Sequence, residues 1–172
     1  MSIRKFLLPA ALVALALASC AEPPARRTIP PFYQDLASPG ARIDTETAAR
    51  FINNYRANKG LPPVTIDPRL DAIAADQVRY MGARNDVASS LENERQTIVR
   101  LKTAGVPYSL AVENVSAGYR TFAEAFSGWR DSPVHNANML NPAVRTMGIA
   151  TAFVPGSKYK VFWSLILVAP PK

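Results

Sequence analysis

The order of hydrophobic patterns constrains this chain most: helical spacing fills residues 44–103, and its longest strand-like run comes at the end. Asp44 or Thr45 can cap a first helix whose apolar face is Ala48, Phe51, Ile52 and Tyr55; Gly60 ends it and Pro62-Pro63 prevents its resumption. Asp67-Pro68 places a capping carboxylate before a proline at the first helical position, and Leu70, Ile73, Ala74, Gln77, Tyr80 and Met81 then follow one face. A third helix is expected over Glu92 to Thr103, closed by Gly105. Thr121-Phe122-Ala123-Glu124 has the form of a capping box opening a fourth helix through Trp129, and Ser132-Pro133 restarts a short helical turn. Ala111–Gly118, Thr146–Val154 and Lys160–Val168 read as strands, the last two joined by a hairpin at Pro155-Gly156-Ser157. Helices early and strands mostly late argue against a doubly wound parallel sheet. They favour an α+β domain in which helices cover a small, mainly antiparallel sheet.

A single Cys, Cys20, rules out an internal disulfide, so hydrophobic burial must carry the fold. The first residues serve a different purpose. Arg4 and Lys5 precede an uncharged apolar run from Phe6 to Ala18, shorter than the roughly 20 residues of a membrane-spanning helix, so residues 1–19 read as an export signal. The run ends Leu17-Ala18-Ser19-Cys20, which resembles the lipobox of bacterial lipoproteins. That resemblance implies cleavage before Cys20, its acylation, and a membrane partner held through the acyl chains; the competing reading is an ordinary secretory signal with an incidental Cys. Ala21 is not the acidic residue that favours inner-membrane retention, so the expected location is the cell envelope at the outer membrane, facing periplasm or exterior. Residues 20–42 hold Pro23, Pro24, Pro30, Pro31 and Pro39 and read as an extended tether, with the folded domain expected over 43–172 and Phe32 and Tyr33 able to dock on it.

Cleavage would remove two positive charges from a formal net charge of +7. The remaining surplus is scattered, with no longer basic run than Arg26-Arg27, so nucleic acid is not an expected partner. Attraction to anionic lipid headgroups and a plain soluble surface both accommodate it.

The block Phe51-Ile52-Asn53-Asn54-Tyr55-Arg56-Ala57-Asn58-Lys59-Gly60-Leu61-Pro62-Pro63, continuing to Asp67-Pro68-Arg69-Leu70, resembles the opening of bacterial domains of the CAP superfamily of cysteine-rich secretory, antigen 5 and pathogenesis-related proteins. Arg100–Gly105, Val112–Gly118, Trp129–Pro142 and Met147–Ala150 continue the resemblance in order. It implies a three-layer α-β-α sandwich and a shallow cleft in which two His and two acidic residues hold a divalent metal in some members. Glu113 stands at the first acidic position and His135 at the second His; Ser89 or a neighbour replaces the first His, and Ser132 replaces the second acid. One imidazole and one carboxylate fall short of the three or four protein ligands zinc takes, so no metal or other cofactor is expected, and any ion would rest on Glu113 and His135, helped by Asp86 or Asp131.

Two uses of this constellation remain open on the sequence. Glu113 could orient His135 as an acid–base pair, with Ser132 completing a nucleophilic arrangement, giving a peptidase or esterase. Alternatively Glu113 and His135 join a strand to a helix, Ser132 caps the turn begun by Pro133, and the chain is a non-catalytic envelope module binding a lipid, glycan or protein. Asn114, Asn136 and Asn138 suit main-chain bonding around the same cleft or contact with a polar ligand. Trp129, Trp163, Phe122 and Phe126 read as core or as the lining of a lipid pocket.

Overall fold

The computed structural model describes residues 29–172. The signal, the lipobox with Cys20 and much of the expected tether lie outside the described residues. Asp44 caps α1 (Thr45–Ala57) by accepting the Thr47 N–H at 2.9 Å, and Asp67 caps α2 (Pro68–Arg84) by accepting the Arg69 N–H at 2.9 Å. Two single 3₁₀ turns, Ala88–Leu91 and Asn93–Arg95, precede a short α3 (Thr97–Thr103). The helix expected from Glu92 therefore starts later, because Glu92 and Gln96 both adopt extended ψ angles, 145° and 140°. Gly105, at φ 64°, closes α3 while Val106 N–H returns to the Leu101 carbonyl at 3.0 Å. Thr121 and Glu124 exchange both bonds of the expected capping box at the start of α4 (Phe122–Asp131), and α5 (Pro133–Met139) follows directly.

The sheet has the order β1-β3-β4-β2, from β1 (Thr65–Ile66), β2 (Leu110–Ala117), β3 (Thr146–Phe153) and β4 (Val161–Ala169). β4 runs antiparallel to both neighbours and is buried along its whole length; β1 is a two-residue parallel addition to β3. Alternation divides β4 between two cores. Phe162, Ile166 and Val168 meet Leu70, Ala74, Val78 and Met81 of α2 and Leu101 of α3, whereas Trp163, Leu165 and Leu167 meet Ile52 of α1, Phe126 and Trp129 of α4, and Met139 of α5. The expected α-β-α layering is thus present.

Two features fix the spacing of the layers. Gly148 lets α2 lie almost on β3: a Cβ there would fall 2.2 Å from the Leu70 carbonyl carbon. On the other face the fully buried Arg56 guanidinium donates to the carbonyls of Pro62 (2.9 Å), Met139 (2.7 Å) and Asn141 (3.0 Å), tying α1 to the end of α5. Carbonyl oxygens thereby replace the water that a buried cation gives up. Packing also reaches further back than the boundary at Ile43: Phe32 stacks on Phe51 at 3.7 Å, and Leu36 is buried with its N–H on the Arg120 carbonyl at 2.8 Å.

Candidate functional site

β2 is an edge strand, and its alternation sends neighbouring side chains to opposite faces. Glu113 turns toward the α2 and α3 layer, where both carboxylate oxygens accept hydrogen bonds: Ser164 Oγ donates to Oε1 at 2.6 Å, Thr97 Oγ1 donates to Oε2 at 2.8 Å, and the Arg100 guanidinium donates to Oε2. Both ionic side chains are almost wholly covered, 6% exposed for Arg100 and 8% for Glu113. Two further Arg100 N–H groups donate to the carbonyls of Arg95 (2.8 Å) and Ile73 (3.3 Å). Burial pushes the Arg100 pKa down, and the Glu113 charge opposes that shift.

Asn114, one residue on, points to the other face. Its amide donates to the main-chain carbonyl of His135 at 3.0 Å and accepts from Asn138 at 2.9 Å, while Asn138 also reaches the Glu113 carbonyl at 3.3 Å. The join between strand and helix is therefore made by Asn114 and Asn138, and the expected Glu113–His135 bond is not formed. His135 is half-buried on α5; its imidazole has no hydrogen-bond partner among the described residues, and burial holds its pKa below the ordinary 6.5. Ser132 occupies the capping position of α5, but its main-chain carbonyl does the bonding, to the Asn136 N–H at 2.8 Å, and its hydroxyl makes no cap bond. Ser89 is buried and donates to the Asp86 carbonyl at 2.7 Å. Asn136 accepts from the Tyr55 hydroxyl at 2.9 Å.

A groove of about 470 Å³ runs along the edge of β2. Ala111, Val112, Glu113 and Val115 form its floor, with Leu91, Thr97 and Ile98 opposite and Asn138 also lining it; His135 is not among the residues that line it. The wall that carries Leu91 is held to α2 by side chains: the Tyr80 hydroxyl donates to Glu92, Arg84 and Arg95 lie over the Tyr80 ring at 3.6 and 4.2 Å, and Arg95 bonds Gln77 and Asp76, each at 2.7 Å.

The family model described as the cysteine-rich secretory protein (CAP) family matches residues 49–167, well over half of the chain and including every residue of this network. The chain belongs to the CAP family. The Bacillus subtilis protein YkwD is 29% identical over 97 residues, 56% of this chain and 38% of its own length. An extracellular protein of Bacillus anthracis with an SCP domain superposes with a TM-score of 0.62 at 22% identity, covering 72% of this chain and 39% of that one. An outer surface protein of Borrelia burgdorferi gives a TM-score of 0.64 at 18% identity, covering 77% of this chain and 99% of that one. The chain thus spans under two-fifths of the two Bacillus proteins it matches. These superpositions establish the shared fold.

In this CAP domain the two residues that resemblance offers as metal ligands do not converge. The Glu113 oxygens already accept three donors, and among the described residues no group of three or more His, Cys, Asp or Glu side chains could hold an ion. Among the described residues, Glu113 and His135 therefore fall short of the three or four convergent protein ligands that zinc takes. Arg100 lies in one of the blocks that resemble the CAP family, but its spacing names no partner, and nothing in the sequence around Thr97 marks it. Ser164 is marked: a hydroxyl in the middle of a strand buried along its whole length calls for a polar partner.

Proposed function

We propose that this CAP-family chain is a non-catalytic binding module of the bacterial cell envelope, anchored through acylated Cys20 and offering the β2 groove to an envelope ligand. One observation carries the non-catalytic part. The acid beside the groove is locked to a buried guanidinium and two hydroxyls, and His135, the chain's only His, is not among the residues that line it, so the lining holds no carboxylate–imidazole pair. The envelope location is supported by the lipobox-like Leu17–Cys20 and by relatives described as extracellular and as an outer surface protein. Among the described residues no helix is long and apolar enough to cross a membrane.

Two measurements test this reading. Metabolic labelling with a palmitate analogue should mark the wild-type chain and not Cys20→Ala; equal labelling refutes the anchor. Screening the purified protein against peptide and ester substrates should give no turnover. Hydrolysis that is abolished in His135→Ala would make the protein a hydrolase.

A further inference from the structure

The main-chain geometry of β2 points to the class of ligand, an inference that rests on the binding-module function. In an antiparallel ladder, successive residues turn their main-chain groups alternately toward and away from the partner strand. Gly118 N–H donates to the Val161 carbonyl at 2.9 Å, which aligns the even-numbered residues of β2 with β4. Ala111, Glu113 and Val115 therefore turn their N–H and C=O groups outward, away from the sheet. Among the described residues only one of these groups has a partner, the Glu113 carbonyl, which takes the 3.3 Å bond from Asn138 and keeps a second lone pair.

That outward row opens into the groove. The lining draws on both faces of β2, with Glu113 and Val115 from one and Val112 and Asn138 from the other, so the cavity straddles the strand edge itself. Five residues, 111–115, give a floor roughly 17 Å long at about 3.4 Å per residue. The only charged lining residue, Glu113, is neutralised by Arg100, leaving amides, hydroxyls and main-chain dipoles as the polar groups. Opposite them stand two exposed apolar side chains, Leu91 at 77% and Ile98 at 42% exposure. Alternating donors and acceptors, no net charge and an apolar wall complement an extended, uncharged peptide with apolar residues at alternate positions. A charged headgroup or a polyanion finds no counterpart here.

We infer that β2 receives such a peptide by strand addition, as a fifth strand hydrogen-bonded to Ala111, Glu113 and Val115. The test uses the full chain and an array of end-blocked, uncharged octapeptides with apolar residues at alternate positions, assayed up to about 1 mM, an affinity weak enough to catch a short peptide. At least one member is expected to bind and to slow amide exchange at Ala111, Glu113 and Val115 tenfold or more. Methylating alternate peptide nitrogens should weaken binding at least tenfold, a readout that requires no variant to fold. Val115→Pro, which removes one outward N–H at an edge position, should do the same. Failure of every octapeptide to bind, or binding indifferent to N-methylation, overturns the inference. A lipid or glycan that fills the groove while those amides exchange unchanged also overturns it, yet leaves the binding-module reading standing. Cleavage of an octapeptide that protects the three amides upholds strand addition and refutes the non-catalytic reading.

Discussion

Removing the Glu113 carboxylate should cost this fold more than almost any other single truncation on β2. Glu113→Ala leaves Arg100 buried with its counter-charge gone, and orphans the hydroxyls of Thr97 and Ser164 that now donate to it. Breaking a buried pair from one side costs about 3–5 kcal/mol, a large part of the roughly 5–15 kcal/mol that holds an ordinary domain together. At 2–4 °C per kcal/mol for a domain of this size, the melting temperature should fall by roughly 6–20 °C. Glu113→Gln keeps one acceptor oxygen and loses the charge, so its loss should be smaller, about 1–3 kcal/mol. The decisive comparison is the double variant Arg100→Met with Glu113→Leu, which removes both charges and fills the space. It should recover most of what either single charge removal loses, because neither partner is left buried alone. Urea denaturation of Arg100→Met, Glu113→Leu and the double closes the cycle and measures that coupling. Additive losses, or a Glu113→Gln variant as stable as the wild type, would refute the view that Glu113 serves as the anion of a structural pair.

Three further outcomes are expected. Gly148→Ala would set a methyl group 2.2 Å from the main chain of Leu70, so α2 must shift off β3 at a cost of about 3 kcal/mol or more by thermal melting; an unchanged melting temperature would contradict the close approach. Burial lowers the His135 pKa below 6.5, so between the lowered value and 6.5 the unfolded chain binds more protons, and this group's contribution to stability rises with pH and then levels off; His135→Gln should remove that component from urea midpoints measured at pH 5 to 7. Burial raises the Asp71 pKa from 3.8, so its ionisation subtracts stability as pH climbs through the raised value. Asp71→Asn, which keeps an acceptor for the Ile149 N–H now bonded at 2.8 Å, should therefore be at least as stable as the wild type at neutral pH, whereas Asp71→Ala should lose about 1–3 kcal/mol.

Which parts of this molecule could be read from its sequence follows from how local their causes are. Asp44, Asp67 and the Thr121–Glu124 box act within one turn, and α1, α2 and α4 begin where those residues place them. The stretch from Glu92 to Gln96 has helix-forming residues but is broken by distant partners: Tyr80 and Arg84 hold Glu92, and Gln77 and Asp76 hold Arg95, so α2 shapes a segment that its own residues would have made helical. β1 has only a short local cause, the β-branched Thr65 and Ile66; the two residues become a strand because Arg145 and Met147 accept the N–H groups of Thr65 and Asp67, each at 2.9 Å. The site failed to be legible for a reason of parity. Glu113 and His135 invite pairing because each is scarce and each sits in a polar block, but a strand separates neighbours by half a turn, and the residue that faces α5 is Asn114. Once Glu113 is assigned to the opposite face, its partner has to come from α3 or β4. Arg100, Thr97 and Ser164 are the groups that supply it, and the same alternation leaves the outward main chain of β2 as the open chemistry of the groove.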